Sequence, residues 1–196
     1  MFKDFILASA SPRRLELLAQ IGAIPQQVIP ADIDETIHAR EPLRQYVMRM
    51  AYTKAMKVAE ANPSANVLAA DTAVACGARL LPKTMKPEQA EANLRLLSGR
   101  RHKVLGGVCF LTPSGGKGLK YVETTVKFKR LTEEEIKSYL DSREWEDKAG
   151  SYAIQGFAST FVSYIGGSYS NVVGLPLFET ARLLNGVNDG SASSRT

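Results

Sequence analysis

A lone carboxylate inside an apolar run constrains this chain more than any other feature. Asp71 stands in Val67-Leu-Ala-Ala-Asp-Thr-Ala-Val-Ala-Cys76, where Thr72 is the only other polar residue. The length of the run and the Gly77 that ends it predict a buried β-strand. A carboxylate in such a strand is costly unless it is paired, hydrogen-bonded or bound to a metal. One reading is an Asp at a strand end that bonds a nearby turn. The run continues beyond Asp71 to Cys76, however, which favours a functional carboxylate. In a regular strand Thr72 projects to the opposite face, and it joins Asp71 if the strand breaks here.

Around this strand the pattern alternates β and α without an internal repeat. Phe5 to Ala8 reads as a short buried strand and Gln27 to Ile29 as another. Helices are expected over 12–21, 43–62, 87–97, 132–142 and 176–185, with Gly22 and Gly186 as stops for the first and last. Thr132 and Glu135 form a capping box. A turn at Gly77 leads back through Leu80-Leu81-Pro82-Lys83, and further strands are expected at 103–112, 119–129 and 158–165, with 148–156 as a loop. Pro113-Ser-Gly-Gly-Lys-Gly118 reads as a hairpin loop, since it lacks the Walker spacing and a following helix. The fold class expected is α/β with a mixed sheet. Residues 187–196 read as a polar tail.

The first helix carries an electrostatic conflict. Ser11 suits the N-cap and Pro12 the first helical position, yet Arg13 and Arg14 follow where the helix dipole favours Asp or Glu. Two readings stand: solvated surface arginines costing about a few tenths of a kcal/mol each, or an anion gathered by backbone N–H groups, Ser9, Ser11 and both guanidiniums. Lys54 raises a similar question, because it falls inside the apolar stripe of Val47, Met50, Ala51, Ala55 and Val58. It either snorkels along that face or is directed at phosphate. Asp32, Asp34 and Glu35 precede the same helix. Such a loop can place one or two carboxylates on a hard cation such as Mg²⁺, or simply serve as a polar N-terminal loop.

Composition narrows the function classes. The chain has 196 residues, 44% of them hydrophobic, enough for one substantial core or two small lobes. No apolar run approaches the ~20 residues of a membrane span, and no signal-peptide pattern opens the chain. Cys76 and Cys109 lie in apolar runs without metal-type spacing, so both read as reduced core residues, which suits the cytoplasm. A net charge of +5 fits nucleotides and other small anions as well as nucleic acid, but nucleic-acid-binding aromatic motifs and zinc knuckles are missing. No stable nucleic-acid partner is expected. Arg100-Arg101-His102-Lys103 reads as a solvated basic edge. His38 and His102 form no metal pattern. A serine hydrolase is disfavoured for want of a Gly-x-Ser-x-Gly elbow.

Taken together, these segments resemble the Maf family of nucleoside triphosphate pyrophosphatases. The likeness runs from Leu7 to about Leu184 and rests on Leu-Ala-Ser-Ala-Ser-Pro-Arg-Arg (7–14), Asp-Ile-Asp-Glu-Thr (32–36), Lys54, Ala-Asp-Thr (70–72), Lys83 and Ser-Gly-x-x-His (98–102). It continues through Lys-Ala-Gly-Ser-Tyr-Ala-Ile-Gln-Gly (148–156), Gly-Ser-Tyr (167–169) and Val-Val-Gly-Leu-Pro (172–176). Their order and spacing make the combination specific.

This resemblance implies one domain over 1–186, similar to the inosine triphosphatase architecture, with two lobes around a central cleft and a homodimer. It implies hydrolysis between the α- and β-phosphates with Mg²⁺ or Mn²⁺. Ser9, Arg13, Arg14, Lys54 and Lys83 would bind the triphosphate. Glu35 and Asp71 would hold the metal and activate water, Asp71 as proton acceptor. Arg13, Thr72 and Gln155 match the branch acting on dTTP and UTP, rather than the 7-methyl-GTP branch, which has Trp, Gln and Glu at those places. An amide such as Gln155 suits the edge of uracil or thymine. The family is also associated with inhibition of septum formation, which leaves partner binding as an alternative. Two departures stand out: Pro82-Lys83-Thr84 replaces Gly-Lys-Pro, and Gly106 replaces a threonine.

Overall fold

Parallel pairing of β1 (Ile6–Leu7) with both β2 (Gln27–Val28) and β3 (Val67–Cys76) organises the first part of the sheet in the computed structural model, which describes residues 2–186. After Gly77, β4 (Arg79–Leu81) folds back antiparallel on β3. The order continues through β5 (Arg101–Leu111) and β6 (Lys117–Phe128) to β7 (Val162–Gly166), antiparallel to β6. The expected mixed α/β sheet is present, with seven strands among the described residues. The expected tail, 187–196, lies outside the described residues.

Six α-helices accompany the strands among the described residues: α1 (Pro12–Gln20), α2 (Leu43–Ala61), α3 (Pro87–Leu97), α4 (Glu133–Ser142), α5 (Tyr169–Val173) and α6 (Leu177–Gly186). The capping box of α4 forms as expected: Thr132 Oγ1 accepts from the Glu135 N–H and Glu135 from the Thr132 N–H. One expected strand starts late, and one short helix was not expected. The strand expected at 158–165 is a 3-10 turn, Phe157–Phe161, followed by β7. Its apolar residues serve both geometries, and a short window does not separate them. Helix α5 spans only five residues, below the length at which helical periodicity registers.

The chain divides into two compact units, the first comprising the residues up to Asp71, Gly107–Tyr121 and those from Gly174 on. Its core packs Ala51, Ala55 and Val58 of α2 on Ile6, Ala8, Val67, Ala69, Cys109 and Leu111. Small residues let the helix lie close to the strands. The limit is Gly107, where an added Cβ would sit 2.2 Å from the Val47 carbonyl oxygen and 2.7 Å from its carbon. That is backbone against backbone, so no rotamer change relieves it. Cys109 is a buried free thiol whose pKa burial pushes up to about 12. Cys76, expected in the core, is only partly buried, because it ends β3.

The second unit comprises Thr72–Gly106 and Val122–Val173. Phe128, Tyr139, Tyr152 and Phe161 meet edge to face at its centre. His102 belongs to this core, contrary to the solvated edge expected for 100–103. Alternation along β5 turns its ring inward between the exposed Arg101 and Lys103, and it is 2% exposed. Burial lowers its pKa from 6.5 to about 4. The unfolded chain then binds more protons than the folded one between those values, so this contribution to stability is lost as pH falls through that window. A shift of this size corresponds to something on the order of 3 kcal/mol. Urea midpoints will therefore fall more steeply from pH 7 to pH 4.5 in the wild type than in His102→Gln, and identical slopes would refute the assignment.

Candidate active site

Just after β1 the chain turns at Ser9, whose buried hydroxyl accepts two hydrogen bonds. The Ser11 N–H donates to it at 3.2 Å and Arg14 Nη1 at 2.9 Å. Arg14 Nε donates to the Gly174 carbonyl at 2.9 Å, so this guanidinium is bound on two sides. Ser11 has N-cap dihedrals, yet its hydroxyl makes no capping bond to α1. Ser9 holds the entry to the helix through the Ser11 N–H and the Arg14 guanidinium, without capping it.

Burial lowers the Arg14 pKa, the Asp71 carboxylate opposes that, Arg13 lowers it further and Glu35 raises it. A guanidinium keeps its charge through such shifts. Asp71, Arg13 and Glu35 thus each act electrostatically on Arg14.

Lys54 has two carboxylate partners. Its ammonium lies 2.7 Å from Asp71 Oδ1 and 2.6 Å from Glu35 Oε1. Lys54 and Asp71 are about one-tenth exposed at their side chains (11% and 10%), whereas Glu35 is half exposed at 50%. The buried aspartate in the apolar run of β3 is thus paired by a lysine 17 residues away. The lysine does not snorkel. It reaches across the seam between helix and strand, and the focal point of the two carboxylates is its nitrogen.

Two residues that sequence reasoning passed over hold the acidic loop. Tyr46, on the buried face of α2, donates its hydroxyl to the Glu35 carbonyl at 3.1 Å. Burial together with the charges of Asp71 and Glu35 raises this phenol to about 12, so it remains a donor. Arg49 binds Glu41 through Nε at 2.7 Å and Nη2 at 2.6 Å, and Nη2 also donates to the Thr36 carbonyl at 3.0 Å. Glu41 is held down at about 2 by that guanidinium. Asp34 Oδ1 accepts from the Thr36 N–H at 2.9 Å, a local turn rather than a ligand position, and Asp32 is exposed. The signal available for Tyr46 was a phenol within an apolar stripe.

The structure brings Ser9, Arg13, Arg14, Glu35, Lys54 and Asp71 together within the first unit. Lys83, Thr72 and Gln155 belong to the second unit. Lys83 is exposed and lies 3.3 Å from Asp147. Beside it Thr84 accepts the Lys86 N–H at 3.0 Å, a bond that the proline usual there in the family has no hydroxyl to make. Thr72 is partly buried and Gln155 is exposed. At Gly106 the volume of the absent threonine is filled: Asn171 Oδ1 lies 1.9 Å from where a Cβ would be. Asn171 Nδ2 donates to the Val104 carbonyl and to Thr124 Oγ1, both at 3.1 Å.

Among the described residues no group of three or more His, Cys, Asp or Glu side chains forms a metal cage. What the first unit offers is a pair of hard oxygen donors meeting at the Lys54 ammonium, with the bound Arg14 guanidinium in their electrostatic reach. Such a set suits a polyanion that brings its own ligands to a shared ion.

A family model described as Maf-like protein matches residues 4–187. A protein of Paramagnetospirillum magneticum named dTTP/UTP pyrophosphatase is 54% identical over 181 residues, covering 92% of this chain and 95% of its own. One of the same name from Caulobacter vibrioides is 51% identical over 182 residues, covering 93% and 94%. The Staphylococcus aureus Ham1 structure overlaps 64% of this chain and 72% of its own, at 18% identity and a TM-score of 0.46. With the match running across nearly the whole length, and with the motif residues Ser9, Arg14, Glu35, Lys54 and Asp71 gathered as described, the chain belongs to the Maf family.

Proposed function

We propose that this protein is a nucleoside triphosphate pyrophosphatase that hydrolyses dTTP and UTP to the monophosphate and pyrophosphate. The observation that carries this reading is the convergence of Glu35 and Asp71 on one point, beside the bound Arg14 and Ser9. Names of relatives at 51–54% identity supply the substrate class.

Ser9, Arg13, Arg14 and Lys54 bind phosphate oxygens, and Lys83 adds a further cation. Lys54 exchanges its carboxylate partners for phosphate as the nucleotide arrives. The oxygen pair of Glu35 and Asp71 fits a Mg²⁺ or Mn²⁺ ion that completes its shell with water and phosphate. When bound, that ion would screen phosphate charge and lower the pKa of water. Asp71 takes the proton of water attacking in line at the α-phosphorus. Arginine and lysine side chains stabilise the charge that collects on the departing pyrophosphate. Tyr46 keeps Glu35 in place through its backbone carbonyl.

Thr72, Arg13 and Gln155 select the base. Thymine and uracil share an acceptor–donor–acceptor edge, which a carboxamide matches with one donor and one acceptor. A panel of dTTP, UTP, dCTP, dGTP and 7-methyl-GTP with pyrophosphate detection tests this. Values of kcat/KM for dTTP and UTP are expected about tenfold or more above the rest. Preference for 7-methyl-GTP, or the absence of pyrophosphate release, would refute the reading.

A further inference from the structure

Gln155 is the exposed member of a short segment whose neighbours are tied down one after another. Gly150 has φ 71° and Ser151 φ 59°, the latter a left-handed conformation in a non-glycine residue. Such a conformation persists only when its surroundings over-determine it, and it is an outlier worth a functional explanation. Here the surroundings are visible. The buried Asn93 of α3 donates Nδ2 to Ser151 Oγ at 2.9 Å. Tyr152 is buried with its hydroxyl 2.9 Å from His102 Nε2. The Ala153 N–H donates to the Tyr139 hydroxyl at 3.1 Å. Ile154 is buried. Beyond Gln155, the Phe157 N–H donates to Glu144 Oε2 at 2.8 Å, and a Cβ at Gly156 would sit 1.9 Å from that same oxygen.

All four anchors come from within the second unit: α3, β5, α4 and the residues just after α4. They bind the segment through backbone or through its buried side chains. None of these bonds involves Gln155 itself. A long side chain reaches one edge of a base only as accurately as its backbone is held, and a displaced backbone offers the same carboxamide to a different edge.

We infer that Asn93, His102, Tyr139 and Glu144 are positioning residues that mount Gln155 as a fixed reader of the pyrimidine edge, so that base selection depends on side chains remote from the base. The inference rests on the assignment of Gln155 to base selection made above. The mount sets selectivity, and the phosphate chemistry does not depend on it.

The test uses Tyr139→Phe and Tyr152→Phe, which delete one hydroxyl each and keep the ring that packs in the core, with Gln155→Ala alongside. Measured quantities are kcat and KM for dTTP, UTP and dCTP, and the thermal midpoint. Each Phe variant is expected to lose about 3- to 10-fold of its dTTP-over-dCTP selectivity, the scale of one hydrogen bond, through a higher KM for dTTP at nearly constant kcat. The double variant is expected to lose more. If Gln155→Ala loses selectivity but both Phe variants keep it, the mount is overturned and the base reader stands. If Gln155→Ala keeps selectivity, the base reader falls and the mount with it. A lowered midpoint with kcat reduced equally for every nucleotide marks a purely structural role and also overturns the inference.

Discussion

Asp71→Asn is expected to lower kcat for dTTP by about 10²- to 10⁴-fold, the usual contribution of a positioned acid–base group. The substitution is nearly isosteric, and the amide oxygen still accepts from the Lys54 ammonium, so the fold is expected to survive. Circular dichroism and the thermal midpoint check that point. What the variant loses is a negative charge and a proton acceptor at the buried middle of β3. Since a free carboxylate is a weak base, part of the loss reflects weaker retention of the ion that acidifies water, and raised Mn²⁺ will recover only that part. Turnover at the wild-type level in a folded Asp71→Asn protein would remove this residue from the mechanism.

Lys54→Met is expected to move two measurements in opposite directions. Turnover falls because a phosphate-binding cation is gone. Affinity for Mn²⁺ without nucleotide, read by electron paramagnetic resonance or calorimetry, rises by roughly tenfold, because two carboxylates that shared an ammonium are left to repel each other. On the proposed reading, a divalent ion at Glu35 and Asp71 would compete with Lys54 in the wild type until a phosphate drew the lysine away. The variant is also expected to unfold at a lower temperature in chelator and to recover when Mn²⁺ is added, since one partner of a buried pair has been removed. Unchanged or weaker Mn²⁺ binding in Lys54→Met would refute the competition.

Asp71 and Lys54 could be picked out from sequence because each breaks the pattern of its own element. What each contacts could not be read in the same way. Their meeting depends on how α2 lies on β3, which periodicity along either segment does not encode. The mixed sheet and most of the longer elements follow from apolar spacing and from Gly and Pro punctuation. Tyr46 was hidden because an aromatic in an apolar stripe looks like core until its hydroxyl is seen on the Glu35 carbonyl. Ser11 illustrates the opposite error: good N-cap chemistry in the right place, with no side-chain capping bond made, while Ser9 accepts from the Ser11 N–H instead. His102 shows that a basic cluster can send one member inward when strand alternation demands it.

The glycine at 107 has a further consequence for the chemistry. With the peptide of Val47 resting on the peptide of β5, the height of α2 above the sheet is a hard stop rather than a compressible cushion of side chains. The four-carbon arm of Lys54 leaves the helix from that height and ends 2.7 Å from Asp71. A lysine arm has little length to spare, so the clearance under the helix acts as a gauge for the ammonium. Lifting α2 by the thickness of one methyl group would leave every proposed catalytic residue in the chain and still part the buried Lys54–Asp71 pair.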